Sequence, residues 1–305
     1  MRISLVMPSF NQGRFIGKAL ASALDGPDVA DEVIVLDNLS TDGTAEVLAG
    51  FKARYPDRLT VLRAADGGQA EALNRGFALA TGDLPSSDLM GWLNADDVLA
   101  EGALARMRAM FVAQPDLALA HGNARWIDTD GRDLGPYPVR ADGLLHDFRD
   151  GCFVCQPTML LRRAALQALG PPAGILDEAL ETAMDLDLWL RAWKRFPGRI
   201  GFVPEVQALQ RRHGGAKTER LRATVFVESM QVLHRHGLEV PDRWPLSYAE
   251  EVAAGTAPAA GWPAVRAAYA AAAGPAALAA LEARVASDPA FVMLHSHPSS
   301  SSRAR

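Results

Sequence analysis

The chain has 305 residues, 49% of them hydrophobic and 22% charged, enough to bury a sizeable core and unlike disordered, fibrous or collagen compositions. A formal net charge of −5 excludes a general attraction to nucleic acid or anionic membrane, so a polyanionic ligand has to be held by local cations or by a metal. Two cysteines cannot build a disulfide framework, the opening MRISLVMPSF lacks the basic-then-apolar pattern of a signal peptide, and no apolar run approaches the ~20 residues of a membrane span. The expected location is the cytoplasm, with a peripheral contact at the inner face of a membrane left open.

The first 120 residues alternate short apolar runs with segments of helical period, the pattern of a mostly parallel sheet flanked by helices, an α/β fold. Ile3 to Met7 reads as a buried first strand, and Phe15, Ile16, Ala19, Leu20, Ala23 and Leu24 share one face of a first helix. Val33 to Leu36 is the second strand. A turn-rich stretch, Asp37 to Thr44, leads into a helix with Val47, Leu48 and Phe51 inward. Leu59 to Leu62 is a third strand, Gln69 to Ala80 a helix closed by Thr81-Gly82, and Leu89 to Leu93 a fourth strand running into Asn94-Ala95-Asp96-Asp97. A helix through Leu104, Met107, Met110 and Phe111 and a strand from Leu117 to Ala120 follow. From Arg125 to Phe153 the Asp-Gly turns at 130–131 and 142–143 suggest a hairpin or lid-like excursion. Pro157 to Arg162 reads as a strand, Asp185 to Arg195 as a helix with Leu186, Trp189, Leu190 and Trp193 inward, and Ile200 to Val203 as the last strand. The expected organisation is a domain over 1–245, in halves 1–123 and 124–220, then an Ala-rich helical extension over 246–298 and a disordered Ser-rich tail, 299–305.

In a parallel α/β sheet, ligands sit beyond the carboxyl ends of the strands. Three polar groups fall there: Pro8-Ser9-Phe10-Asn11, Asp37, and Asn94-Ala95-Asp96-Asp97. Neither GxxxxGK[ST] nor GxGxxG occurs, so no glycine-rich phosphate loop serves this chain. Adjacent carboxylates such as Asp96 and Asp97 repel unless they share a cation, which points to Mg²⁺ or Mn²⁺ on oxygen ligands; alternatively Asp97 caps the helix that follows. Asp185 and Asp187 lie about 200° apart on an ideal helix, so one faces a cleft while the other caps or pairs outside. The helix dipole is expected to lower the pKa of an acid in this first turn, keeping it ionised as a base, although both are equally readable as ordinary helix-start acids. Gln210 to Thr218 gathers two Arg, His213 and Lys217 around two Gly, a cationic loop suited to a diphosphate or, in the plainer reading, a solvated charge run. Cys152 and Cys155 form a single CxxC, which lacks the further ligands of a zinc site.

Together these motifs resemble the family 2 glycosyltransferases of the GT-A fold, over roughly residues 2 to 220. PSFNQGRFI at 8–16 resembles the family's opening loop, LDNLSTDGT at 36–44 its nucleotide element, and DGGQAEALNRGFALATGD at 66–83 the segment leading to the metal motif. WLNADD at 92–97 stands at the DxD position, QPTMLLRR and MDLDLWLR resemble the acceptor half, and RRHxxxKT the basic loop of bacterial members. The resemblance implies an inverting transfer of sugar from a nucleoside-diphosphate-sugar donor to a hydroxyl of a saccharide or lipid-linked saccharide, in bacterial surface polysaccharide assembly. It implies that Pro8 and Asp37 line the nucleobase and ribose site with Asp66 nearby, that Asn94 bonds a ribose hydroxyl, and that Asp96, with Asp97 and His213, holds Mg²⁺ or Mn²⁺. Lys217 would approach the diphosphate and Asp185 would be the general base. Three positions depart from the family: Asn38 and Asn94 replace acids, and Met184 replaces the Glu before the base. Those departures motivate a rival reading as a non-catalytic sugar-nucleotide binder or partner subunit. A nucleotidyltransferase shares the layered plan, but its Gly-rich basic start is missing after Met7.

Overall fold

The computed structural model describes residues 1–80, 88–170 and 174–291; the Thr81-Gly82 stop signal and the Ser-rich tail lie outside them. Contacts divide the chain into two compact units, Met1–Leu145 with Cys152–His213, and His146–Gly151 with Gly214 onward.

The first unit begins with strands β1 (Ile3–Ser9), β2 (Glu32–Asp37), β3 (Leu59–Arg63) and β4 (Leu89–Trp92) and helices α1 (Ile16–Leu24), α2 (Thr44–Arg54) and α3 (Gln69–Ala80). All pairings within the order β3-β2-β1-β4 are parallel. The helical stripe read from spacing is the buried one: Phe15, Ile16, Ala19, Leu20, Ala23 and Leu24 are all buried, and β1, apolar on both faces, is covered on both. Pro8 interrupts nothing, because the β1–β4 ladder runs only from Ile3 to Val6 and its missing N–H falls beyond that edge. Strands therefore end together at Ser9, Asp37 and Trp92, which sets three loops side by side.

Helix α3 lies against β1 and β2 at Gly76. A Cβ there would stand 2.3 Å from Val6 Cγ1 and 3.0 Å from Leu36 Cδ2. Gly to Ala within a helix gains about 1 kcal/mol in propensity. Overpacking against a β-branched side chain with one favoured rotamer costs typically 1–3 kcal/mol, so the clash prevails. Gly76→Ala is expected to lower the melting temperature by a few degrees, measured by thermal denaturation.

Beyond β4 the sheet becomes mixed. It continues β8 (Leu160–Arg162), β6 (Leu119–Ile127), β9 (Ile200–Arg211) and β5 (Val98–Leu99), with β7 (Asp133–Pro136) paired to β6. Only β6 and β9 run parallel here. The hairpin expected around Asp130-Gly131 is the β6–β7 turn, with Gly131 at φ +93°. Helices α4 (Ala103–Ala113), α5 (Arg163–Leu169) and α6 (Met184–Arg195) complete this unit.

One strand runs much further than its sequence suggests. Pro204 cannot donate to a ladder and reads as the end of β9 after Val203, yet the strand reaches Arg211. The register explains it: Gly122 pairs with Val203 and the next residue, Asn123, with Val206. A bulge thus takes Pro204 and Glu205 out of the pairing, and Asn123 Nδ2 donates to Pro204 O at 2.5 Å. The extension carries Arg211 and His213 to the loop after β4.

The second unit is helical: α7 (Lys217–Arg220), α8 (Arg222–Arg235), α9 (Arg243–Ala253), α10 (Trp262–Ala273) and α11 (Pro275–Ser287). Phe226 packs edge-on against Trp244 and Tyr248, and Val265, Tyr269, Leu281 and Val285 are buried with them. Arg222 and Glu251 pair through Nε at 2.6 Å. Among the described residues no helix is long and apolar enough to cross a membrane.

Candidate active site

The loops after β1 and β2 brace each other. Asn11 N donates to Ser40 Oγ at 2.8 Å, and Thr41 N to Asn11 Oδ1 at 2.9 Å. Asn11 and Leu39 adopt left-handed φ of 53° and 52°, conformations that non-glycine residues hold only when surrounding contacts fix them. Asp37 is fully buried. Its carboxylate accepts from Ser40 N and Oγ and from Arg63 Nε at 2.9 Å, so it secures the loop and has no oxygen turned outward for a nucleobase.

The neighbouring Asn38, rather than Asp37, meets Asp66. Its Nδ2 donates to Asp66 Oδ1 at 2.9 Å, and its Oδ1 accepts from Asp66 N at 3.2 Å. Gly68 N also donates to Asp66 Oδ1. Burial first, then the negative charges of Glu71 and Asp37, raise the Asp66 carboxyl above its ordinary value, against the Gly68 bond. Half-buried Pro8 and the Asn38–Asp66 couple lie at adjoining strand ends.

After β4 the two acids diverge. Asp97 is 2% exposed; its Oδ1 accepts from Arg211 N at 2.8 Å and its Oδ2 from Asn94 Nδ2 at 3.3 Å. Burial and the charge of Asp96 push its carboxyl well above the ordinary range. Asp97 is therefore an internal tie between the β4 loop and β9, rather than the outward oxygen a shared cation requires. Asp96 faces the other way, with Oδ2 3.0 Å from His213 Nε2. Asn94 Oδ1 accepts from Gln69 Nε2 at 2.9 Å, linking the loop to α3. Arg211, also buried, donates from Nε to Asp96 O and from Nη1 to Asp128 O. Burial lowers its pKa while Asp97 and Asp96 act to raise it. Gln69 carried no role in the sequence reading, and Arg211, expected in a cationic loop for a diphosphate, is instead turned inward at the end of the bulged β9, which no local signal marks.

Asp185 begins α6. Its Oδ1 accepts from Leu186 N at 2.7 Å, and burial raises its pKa to about 6. The expectation of a dipole-lowered value is corrected: the loss of hydration outweighs the helix-end field. Asp187, on the opposite side of the helix, is buried and paired with Arg191 Nε at 2.9 Å, so its partner is met inside the protein and not outside as anticipated. Trp189, one turn after Asp185, stacks on Trp92 with ring centroids 5.5 Å apart, and Gln156 Nε2 donates to Trp92 O at 2.7 Å. The stack links the first turns of α6 to the end of β4, the strand that leads into the Asp96 loop. Cys152 and Cys155 are free thiols raised by burial, with Asp185 among the charges acting on both. Lys217 lies on α7 in the second unit.

Among the described residues no group of three or more His, Cys, Asp or Glu forms a closed metal cage. Asp96 and His213 supply two adjacent donors with side chains 17% and 10% exposed. The Asp96 carboxylate suits a hard ion such as Mg²⁺ or Mn²⁺, Mg²⁺ being commonly bound through one or two carboxylates plus substrate phosphates.

A parallel α/β half whose strand ends carry a polar nucleotide-side loop and an acidic loop, joined to a mixed half that ends in an acid-headed helix, is the arrangement of a GT-A glycosyltransferase. Residues 4–170 match the family described as Glycosyl transferase family 2, and the chain belongs to that family. An uncharacterized glycosyltransferase of Nostoc is 25% identical over 80% of this chain and 74% of its own length. The O-antigen biosynthesis protein RfbC of Myxococcus xanthus is 30% identical over 67% of this chain, which spans only 15% of that protein. A PGL/p-HBAD biosynthesis glycosyltransferase of Mycobacterium bovis is 29% identical over 55% of this chain and 62% of its own length. In fold, the chain resembles Staphylococcus aureus TarS 1–349 in complex with UDP-GlcNAc, with TM-score 0.61 and 18% identity over 92% of this chain and 84% of that one. It also resembles the mannosyltransferase PcManGT of Pyrobaculum calidifontis in complex with GDP-Man and Mn²⁺, with TM-score 0.52 and 21% identity over 96% of this chain and 83% of that one.

Proposed function

We propose that this glycosyltransferase moves a sugar from a nucleoside-diphosphate-sugar to an acceptor hydroxyl with inversion, and that it depends on Mg²⁺ or Mn²⁺. The observation that carries this reading is Asp185, a half-buried carboxylate whose desolvation raises its pKa to about 6. It is ionised at neutral pH and more basic than an ordinary Asp, as a general base requires. In the reaction the acceptor oxygen attacks the anomeric carbon, the bond from that carbon to the diphosphate oxygen breaks, and the acceptor proton passes to Asp185. Asn38, Asp66 and Pro8 form the nucleoside pocket, with Asp37 holding its loop and Asn94 bonding a ribose hydroxyl. Asp96 and His213 hold the cation and Asp97 fixes their loop. When bound, the cation offsets negative charge on the departing diphosphate.

The relatives that act in O-antigen and PGL/p-HBAD biosynthesis support an acceptor among bacterial surface saccharides or lipid-linked saccharides, met at the cytoplasmic face of the membrane. A thermal-shift panel of nucleoside diphosphates and nucleotide-sugars, with and without Mn²⁺, tests the donor reading. A ligand at 100 times its Kd stabilises by about 2.7 kcal/mol. The correct nucleotide is expected to raise the melting temperature by several degrees, and more so with Mn²⁺; a flat panel rejects the reading.

A further inference from the structure

The Phe15 ring is the common neighbour of the charged groups beside Asp96. His213 packs on it with centroids 4.9 Å apart, the Arg211 guanidinium lies over it at 4.9 Å, and that of Arg14 at 5.3 Å. Two guanidinium groups and the Asp96–His213 pair therefore converge on one side chain at the head of α1. Arg14 is also close enough that its charge acts on Arg211.

The two arginines differ in what they are free to do. Arg211 is 4% exposed and bonded through its backbone and guanidinium to Asp97, Asp96 and Asp128. It cannot turn to a ligand without undoing the loop. Arg14 has a side chain 63% exposed and is held by Asp130, itself 54% exposed, at 3.4 Å. An exposed pair of this kind contributes at most about 1 kcal/mol. Asp130 keeps a second partner, Arg132 Nη1 at 3.2 Å, when Arg14 leaves, so the exchange strands no charge.

We propose that Arg14 is a diphosphate-binding residue that leaves Asp130 to grip the terminal phosphate of the nucleotide, the phosphate that bears the sugar. This rests on the donor reading above. A diphosphate entering this site meets the carboxylates of Asp96 and Asp66 in a chain of net charge −5, so a mobile cation at its edge would add to the compensation that a divalent ion on Asp96 supplies. A guanidinium meets that need better than an ammonium, because it stays charged and presents parallel N–H donors to two phosphate oxygens. Asp130 then acts as a parking partner that competes with the ligand.

The test is calorimetric titration of the full chain, with Mn²⁺ present, against UDP, GDP, CDP and dTDP and their monophosphates. Arg14→Gln is expected to weaken the diphosphate that binds by roughly tenfold or more, the scale of a charge-assisted bond, and the matching monophosphate by less than about twofold. Arg14→Lys should fall between. Asp130→Asn is expected to move the diphosphate affinity in the opposite direction, tightening it. If Arg14→Gln weakens mono- and diphosphate equally, or if Asp130→Asn weakens the diphosphate as Arg14→Gln does, the pair is a structural latch and the proposal is overturned. A diphosphate that binds wild type and Arg14→Gln alike overturns it while leaving the donor reading standing. A wild-type chain that binds none of the four removes both.

Discussion

Asp185→Asn is expected to reduce kcat by about 10²- to 10⁴-fold, the range for loss of a general base, while leaving nucleoside-diphosphate affinity unchanged. The same variant should be more stable than wild type at pH 7.5. The Asp185 carboxyl is raised from an ordinary 3.8 to about 6 in the folded chain, so folding favours its protonated form. The stability this gives is fully present below pH 3.8 and is lost as pH rises through about 6. At neutral pH the ionised side chain thus costs the fold up to about 3 kcal/mol, a cost that the uncharged, nearly isosteric Asn removes. Wild-type kcat/KM should accordingly fall tenfold per pH unit below about pH 6. Three measurements decide the matter: single-substrate kinetics, a pH–rate profile and a melting curve. Turnover retained in Asp185→Asn, or an acid limb centred near pH 4, removes Asp185 from the role.

How far the sequence reveals this site depends on the range of the interaction that fixes each residue. The order β1-α1-β2-α2-β3-α3-β4 and the inward faces of its helices follow from apolar period, a local property, and the structure has them with boundaries within about two residues. The placement of Asp96 after β4 and of Asp185 in the first turn of α6 is legible because strand ends and helix starts are also local. Asp37 and Asn38 show the limit: they are adjacent, both polar and both at the end of β2. Arg63 and Asp66, brought close by the fold, decide that the Asp is bound inside and that the Asn faces Asp66. The extension of β9 was hidden for the same reason. Pro204 ends a strand by any local rule, and its placement in a bulge depends on β6, about 80 residues earlier in the chain. The raised pKa of Asp185 reflects burial by segments that a helix-dipole argument does not contain.

Asp96→Ala and Asp97→Ala are expected to separate two acids that look equivalent in the sequence. Asp97 accepts from the backbone of Arg211 inside the protein. Its removal leaves a buried N–H unpaired, and an unmet buried donor costs about 1–3 kcal/mol, so Asp97→Ala should melt several degrees lower. The Asp96 side chain holds no backbone N–H, since Arg211 Nε bonds its carbonyl oxygen and its carboxylate meets only the His213 ring, at 3.0 Å. Removing the Asp96 charge relieves the repulsion that helps raise Asp97, which offsets the lost His213 contact, so Asp96→Ala should melt near the wild-type temperature. Function should reverse the order. Losing electrostatic stabilisation of the departing group lowers rates by about 10²- to 10³-fold, and Asp96→Ala should show that loss together with a melting temperature indifferent to Mn²⁺ in the presence of nucleoside diphosphate. Where both variants melt alike, or where Asp96→Ala keeps the Mn²⁺ response, the assignment of the outward acid to the cation fails. The contrast follows from burial. A carboxylate closed in beside a like charge is held as a structural acceptor, and the one left facing His213 keeps an oxygen for a ligand.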